Sequence, residues 1–298
     1  MERKYQFKTA DTIQIAPETL KDNQETAVYW LSAAGVLINS RGTIILVDPC
    51  LVYTPGEPPI NETGDELLVV PPISVDDLPK VDAVLYTHAD SDHLGGKTLE
   101  ALAAKFPDLK FHGTLYTCFG KPLPGTAPMG EYNIPKERCI QHKVGETFFV
   151  NDIRITLTPA DHSWHLDPDA SLAASYDPVS FTFGDCCGFR FETPDGIIWT
   201  PGDTRLLSDH FRMRDVDLSF FDAGNDGWHF GNDGIVRLFN RLADTHFIYY
   251  HGGTVYDPDK NAFNGDPTKL TDRLQNPERL HVQAPGEKYV LKRTASKA

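Results

Sequence analysis

Short runs rich in β-branched and aromatic residues recur along the chain and predict more strands than helices. The predicted strands are 28–39, 43–47, 81–87, 153–158, 179–183, 188–192, 197–200, 217–221 and 246–250. Hydrophobic spacing typical of helices is clearest at 97–106, 234–243 and 267–274. The early strands follow one another through short turns such as 40–42, whereas the later strands alternate with helices. This order predicts an α/β fold of mixed sheets flanked by helices.

Three stretches between these elements are long and rich in turn residues, namely 49–79, 113–144 and 163–178. Loops of that length inside a compact fold are usually lids or binding loops. No linker rich in Pro, Gly or Ser divides the sequence, and no repeat or low-complexity tract is present. We therefore expect one domain spanning residues 1–298.

Composition and charge narrow the classes of partner. Hydrophobic residues make up 40% of the 298 positions and charged residues 23%, which are ordinary values for a globular protein. Lys and Arg number 28 against 42 for Asp and Glu, so the net charge is −14. Such a chain repels nucleic acid and anionic membranes. We expect a small-molecule substrate, with neither nucleic acid nor membrane as partner, and the sequence leaves a homo-oligomer open.

The sequence also predicts a cytoplasmic protein. The first 20 residues lack the apolar stretch of a secretory signal, and no uncharged run reaches the roughly 20 residues that span a bilayer. The five cysteines are scattered and include no CxxC pair, which indicates reduced thiols. For the adjacent Cys186 and Cys187, packing is favoured over a redox role.

The densest group of chemically active residues follows the strand 81–87. His88, Asp90, Asp92 and His93 fall within six residues, directly before the predicted helix at 97–106. His88 and Asp90 are two positions apart, so in an extended chain they project from the same side. A helix N-cap would explain one carboxylate but neither histidine. This cluster therefore predicts metal binding.

Three further polar residues stand directly after predicted strands, namely His162, Asp203 and His251. Ligands at the ends of neighbouring strands converge on one edge of a sheet. Each residue alone is more often an ordinary turn residue, but together with the first cluster they favour a metal site.

The ordered series His88-x-Asp90-x-Asp92-His93, His162, Asp203 and His251 resembles the metallo-β-lactamase fold superfamily, whose first motif is HxHxDH. The segments 30–38, 45–49, 200–205 and 251–254 are similar to the branch that contains L-ascorbate-6-phosphate lactonase. The resemblance implies a four-layer αββα sandwich with an internal pseudo-duplication and a site for two metal ions at one edge.

The same resemblance implies a role for each ligand. His88 and His162 would bind the first metal, and the second would be bound by Asp92, His93 and His251. Asp203 would bridge the two ions. A hydroxide held between them would act as the nucleophile, oriented by Asp92, so that Asp92 and Asp203 are the predicted catalytic residues.

Asp90 departs from the family motif because it occupies the position of the second histidine. With Asp90 as a ligand, a third carboxylate lowers the formal charge of the site from about +1 to about 0. A harder donor set favours manganese over zinc. The expected cofactors are therefore two divalent ions, Zn²⁺ or Mn²⁺.

Several residues near the predicted ligands are candidates for binding the substrate. Arg205 could clamp an anionic group, with a salt bridge to a nearby acid as an equal alternative. Trp164 and His165 follow His162 closely, and His165 is a second choice for its place as ligand. For Trp228, His229 and Tyr256, packing is favoured over a role in the pocket wall.

Together these features predict a metal-dependent hydrolase that opens a small polar ester, and a sugar lactone is favoured. One alternative is a phosphodiesterase acting on a small phosphodiester. The other is a non-catalytic, metal-binding or regulatory protein that keeps the fold.

Overall fold

The computed structural model describes residues 10–21, 24–163, 181–224, 227–252 and 265–294. Its strands are β1 (Thr26–Trp30), β2 (Val36–Ser40), β3 (Thr43–Val47), β4 (Tyr53–Thr54), β5 (Ile60–Asn61), β6 (Ala83–Leu85), β7 (Phe111–Thr114), β8 (Cys139–His142), β9 (Thr147–Val150), β10 (Ile153–Pro159), β11 (Cys187–Thr193), β12 (Gly196–Thr200), β13 (Leu218–Phe221), β14 (His246–Tyr249), β15 (Leu280–His281) and β16 (Tyr289–Val290). The α-helices are α1 (Gly96–Lys105), α2 (Leu115–Phe119) and α3 (Gly231–Arg241). Short 3-10 helices cover Pro17–Leu20, Met129–Glu131, Lys136–Arg138, His210–Arg212, Pro267–Arg273 and Pro277–Arg279.

The described residues form two seven-stranded sheets and one two-stranded hairpin, β4–β5. The strand order is β16-β1-β2-β3-β6-β7-β8 in the first sheet and β15-β14-β13-β12-β11-β10-β9 in the second. Each sheet begins as an antiparallel meander and continues as three parallel crossovers, β3-β6-β7-β8 and β12-β13-β14-β15. The internal duplication implied by the resemblance is visible in this shared order.

Three hydrophobic cores separate four layers. The first core packs α1 and α2 against one face of the first sheet, and the second lies between the two sheets. The third packs α3 against the outer face of the second sheet. In β3, Ile44 and Leu46 enter the first core, whereas Ile45 and Val47 enter the second. This double burial explains the unbroken apolar runs of the central strands and confirms the predicted αββα sandwich.

Several predicted elements were wrong in their bounds or type. The strand predicted at 28–39 is two strands, because the chain turns at 31–35, where Ser32 and Ala33 adopt positive φ. Residues 181–183 of the predicted strand 179–183 are not in a strand, and its first two residues lie outside the described ranges. The segment 267–274 contains a 3-10 helix instead of an α-helix.

The long stretches predicted as loops carry more structure than expected. The stretch 49–79 contains the β4–β5 hairpin, and 113–144 contains α2 and β8. Of the stretch 163–178, only Ser163 is described. All five cysteines are free thiols, and none of the described helices is long and apolar enough to cross a membrane.

Candidate metal centre

Four strands end in potential metal ligands at one edge of the sandwich. The residues that follow them are His88 after β6, His162 after β10, Asp203 after β12 and His251 after β14. Strands β10 and β12 run in the same direction because both are antiparallel to β11, and β13 and β14 continue parallel to β12. The carboxyl ends of β10, β12 and β14 therefore meet at one edge of the second sheet.

His88, Asp90 and His162 form one half of the resulting cluster. Oδ2 of Asp90 lies 3.3 Å from Nε2 of His88 and 3.3 Å from Nε2 of His162. One potential ligand atom from each of His88, His162 and Asp203 falls within 4.8 Å of the others. Both histidines are buried, and Asp90 is nearly so.

Asp203 lies at the centre of the other half. Its Oδ2 is 3.1 Å from Nε2 of His93 and 3.4 Å from Nε2 of His251, and these two nitrogens are 2.9 Å apart. Oδ2 of Asp92 lies 3.5 Å from Nε2 of His251. The Asp92 side chain is 42% exposed, against 3% for Asp203, so solvent reaches the cluster at Asp92.

Asp48, which follows β3, orients two of the histidines. Because β3 and β6 are parallel neighbours, Asp48 lies beside Thr87. The amide and the hydroxyl of Thr87 both donate to the Asp48 carboxylate, at 2.8 and 2.7 Å. Nδ1–H of His93 donates to the same carboxylate at 2.9 Å. Since the Thr87 hydroxyl proton is committed to Asp48, Oγ1 accepts from Nδ1–H of His88 at 3.0 Å.

Three histidines therefore present Nε2 to the cluster. His162 joins His88 and His93 in this respect because its Nδ1–H donates to the carbonyl of Trp228 at 3.3 Å. Histidines that bind metals commonly donate their other ring N–H to a carboxylate or a carbonyl, which fixes the tautomer. In all three, Nδ1 is held by a protein acceptor, so Nε2 is the ring nitrogen that faces the cluster.

Among the residues that the structure describes, three buried polar atoms of the cluster have no hydrogen-bond partner, and a bound cation would explain this. Within the described ranges, Nε2 of His88, Oδ1 of Asp90 and Oδ1 of Asp203 are buried and make no hydrogen bond. Leaving such an atom unsatisfied costs roughly 1–3 kcal/mol. A divalent cation would satisfy these atoms, and imidazole nitrogens with carboxylate oxygens suit Zn²⁺ or Mn²⁺. The donor set fits the expected metals.

The ionisation of the cluster also favours a cation. Burial opposes ionisation of Asp203, but the neighbouring His251 and His93 hold the pKa of that carboxyl well below its usual range. Burial would lower the pKa of His251, yet Asp203 raises it to about 9. The pKa of His88 is lowered, by burial first and by His93 second. The carboxylates attract positive charge to this position, as a metal site requires.

Glu62 and Cys50 hold the loop that carries Asp92. Oε2 of Glu62 accepts from the amides of Lys97 and Thr98, at 2.7 and 3.1 Å, and so caps the start of α1. Sγ of Cys50 donates to the carbonyl of Asp92 at 3.3 Å. Burial raises the pKa of both side chains. These contacts come from the 49–79 stretch, which therefore supports the cluster from outside the motif.

Apolar side chains approach the cluster on the side of His88 and His162. The Phe181 ring is fully buried, with its centroid 5.8 Å from that of His88 and 6.1 Å from that of His162. Tyr116 of α2 packs edge-on against Phe181 at 5.2 Å. This side of the cluster is shielded from water.

The structure brings together every residue that the sequence predicts as a metal ligand, namely His88, Asp90, Asp92, His93, His162, Asp203 and His251. Sequence reasoning favoured packing for His229, but its Nε2 lies 3.0 Å from Oδ2 of Asp203. The signal that could have identified it is its place in the loop after the predicted strand 217–221, which ends at the same edge.

Of the three residues predicted to bind the substrate, the structure describes only Arg205. Arg205 lies with Nε 3.4 Å from Oδ2 of Asp161 and donates through its guanidinium to the carbonyl of Ser163. This geometry matches the salt-bridge alternative, and the role in substrate binding stays a prediction. Trp164 and His165 lie outside the described residues, as does Tyr256.

Comparisons with known proteins identify the family of this chain. Residues 43–252 match the family described as the Beta-lactamase superfamily domain. A UPF0173 metal-dependent hydrolase of Herpetosiphon aurantiacus is 27% identical over 272 residues, which cover 89% of this chain and 97% of that protein. This chain aligns with only 57–63% of the length of several other relatives.

Solved structures share the fold at low sequence identity. An isothiocyanate hydrolase from Delia radicum gut bacteria superposes with a TM-score of 0.63 at 17% identity, covering 89% of this chain and 99% of the other. A metallo hydrolase from Ignicoccus hospitalis gives 0.61 at 17% identity, covering 90% and 99%. The family match extends over more than half of the sequence and contains the strand ends that form the cluster. The chain therefore belongs to the metallo-β-lactamase superfamily.

Proposed function

We propose that this protein is a metal-dependent hydrolase that opens a small polar ester, with a sugar lactone as the favoured substrate. One observation carries the proposal. Three buried histidines with Nε2 available converge with the carboxylates of Asp90 and Asp203 at one edge of the sandwich. The relative named a metal-dependent hydrolase supports the reaction class. The lactone rests on the similarity of four sequence segments to the ascorbate-phosphate lactonase branch.

The ligands divide between two positions in this proposal. His88, Asp90 and His162 would hold one divalent cation, and the other would be held by Asp92, His93 and His251. Asp203 would contact both. When bound, the two cations supply a Lewis acid for the reacting carbonyl and lower the pKa of a nucleophilic water.

The protein side chains contribute positioning and proton handling. Asp92 is the solvent-exposed carboxylate of the cluster, so it is placed to accept a hydrogen bond from the attacking water. Asp48 keeps His93 in a fixed orientation, and through Thr87 it does the same for His88. Phe181 excludes water beside His88, which strengthens electrostatic interactions there.

A comparison of substrates on one metal-loaded preparation tests the proposal. We expect phosphorylated or carboxylated sugar lactones to be hydrolysed with higher kcat/KM than an aryl phosphodiester, a β-lactam or an acyl-homoserine lactone. If the phosphodiester is preferred by orders of magnitude, the protein is a phosphodiesterase. If no substrate is turned over by a fully metal-loaded, folded preparation, the regulatory alternative replaces the enzyme.

Two variants distinguish loss of the metal cluster from a general effect of mutation on activity. Asp203→Ala should abolish hydrolysis while leaving the fold intact, because Asp203 is central to the cluster. His246 starts β14, at the opposite end of that strand from His251, and pairs with His281 at 2.8 Å; His246→Gln should therefore keep activity. Full activity of Asp203→Ala would overturn the mechanism.

A further inference from the structure

His229 is a buried histidine inside the cluster that the family motif does not include. It lies in the loop between β13 and α3, and only 2% of the residue is exposed. Because β13 is parallel to β12 and β14, this loop starts at the edge where Asp203 and His251 lie. The fold therefore delivers a fifth buried imidazole to the cluster, beside those of His88, His93, His162 and His251.

Asp90 leaves this chain with one histidine fewer than the family motif provides. The motif HxHxDH with one later Asp and two later His provides five histidines and two aspartates. This chain has aspartate at position 90, so the matching positions provide only four histidines and three aspartates. Adding His229 restores five imidazoles. The ring of His229 lies 5.3 Å from that of His162, one of the two histidines that face Asp90.

The atoms around Asp203 show where His229 acts. Oδ2 of Asp203 lies 3.0 Å from Nε2 of His229, 3.1 Å from Nε2 of His93 and 3.4 Å from Nε2 of His251. Nitrogens bound at about 2.0–2.1 Å around one tetrahedral ion lie about 3.4 Å apart. One ligand atom from each of Asp203, His229 and His251 lies within 4.8 Å of the others.

We propose that His229 is a metal ligand that compensates for the imidazole missing at position 90. This inference rests on the proposed function, since it assumes that the cluster binds metal. The Nε2–H proton that now faces Asp203 would be displaced by the cation, as happens when a histidine becomes a ligand. The competing interpretation is that His229 only donates a hydrogen bond to Asp203 and positions it.

Counting the coordinated histidines distinguishes these two roles without any activity measurement. The full chain would be labelled with ¹⁵N-histidine and loaded with ¹¹³Cd²⁺, and couplings between cadmium and ring nitrogens would be counted by NMR. We expect five coupled Nε2 resonances in the unmodified protein and four in His229→Gln. His210→Gln is the matched control, because His210 is equally buried but donates to the carbonyl of Pro159 instead.

A double-mutant cycle gives a second, independent measurement. His229→Gln should weaken metal affinity by about tenfold or more, measured by competition with a chelator. If His229 compensates for Asp90, then Asp90→His should restore most of that affinity in the His229→Gln background. Affinity changes that add independently would overturn compensation, since coupled ligands deviate from additivity.

The count of coupled histidines distinguishes failure of the His229 inference from failure of the proposed function. Four cadmium-coupled histidines in the unmodified protein, unchanged in His229→Gln, would overturn the inference and leave the proposed function standing. Five coupled histidines in a protein without lactonase activity would support the inference and overturn the substrate. A protein with no coupled histidine would overturn both.

Discussion

Asp48 and His93 are joined by a buried hydrogen bond of 2.9 Å, although 45 positions separate them in the sequence. The carboxylate receives Nδ1–H of His93 together with two protons of Thr87. It therefore fixes a candidate ligand without belonging to the ligand set.

The first prediction concerns Asp48→Asn. Asp48 has φ 46°, which asparagine tolerates, so the backbone should be retained. The amide cannot accept three hydrogen bonds in the same way, and His93 loses its charged partner. We expect metal affinity to fall by about 10–100-fold, measured by chelator competition. Asp82→Asn, at the opposite end of β6, is the control. Equal affinity of the Asp48 variant and the unmodified protein would show that Asp48 is unimportant for the metal.

The second prediction concerns the choice of metal. Asp90→His should move preference from manganese towards zinc by about tenfold or more, because imidazole is the softer donor and removes one negative charge. The ratio of the two dissociation constants is the measurement. Asp152→His, on an exposed turn, is the matched control. An unchanged ratio would place Asp90 outside the ligand set.

Arg205→Ala forms the third prediction. Arg205 holds Asp161 and Ser163, the residues on either side of His162. We expect the free energy of unfolding to fall by about 1–3 kcal/mol, measured by urea denaturation. Arg154→Ala breaks an exposed ion pair with Glu192 and should change stability by less than about 0.5 kcal/mol. The same variant tests substrate binding: loss of a preference for charged lactones would assign Arg205 that second role.

The fourth prediction concerns acid stability. Burial lowers the pKa of His112 to about 3, while Nδ1 of His112 lies 3.0 Å from Nε2 of His142. The unfolded pKa is about 6.5, so the unfolded chain binds the proton more readily. Stability from a neutral His112 is therefore fully present above pH 6.5 and is lost as pH falls from 6.5 towards 3.

His112→Phe removes this titration and keeps an aromatic ring against Phe148, which stacks on His112 at 4.7 Å. Unfolding free energies of both proteins at pH 7.5, 6 and 5 measure the effect. The unmodified protein should lose more stability on acidification than the variant. Parallel curves would contradict the assignment.

The sequence predicted the parts of the fold that depend on local pattern. The strand leading to His88 and the ligands behind it are contiguous, so their spacing alone indicates metal binding. Strand ends at His162, Asp203 and His251 follow from short apolar runs. In each case the informative residues lie within a few positions of one another.

Long-range geometry explains what the sequence did not predict. Asp48 reaches His93 only because β3 and β6 pair in parallel, and His229 reaches Asp203 only because the loop after β13 starts at the same edge as Asp203. The division of β1 from β2 depends on Ser32 and Ala33 at positive φ, which neither residue type favours. The partner of Arg205 was left open because only the fold places Asp161 beside it.

The position of β16 has a consequence for synthesis. This strand is the last of the described elements, yet it pairs with β1, the first, through Ala27–Val290 and Val28–Tyr289, and the amide of Leu291 donates to Thr26. On the ribosome, β1 emerges long before the segment that covers its outer edge. An uncovered edge offers unpaired backbone groups to other chains. Nascent copies should therefore depend on chaperones or on fast completion of translation. Truncation before Tyr289 should promote aggregation, although every residue of the metal cluster precedes that position.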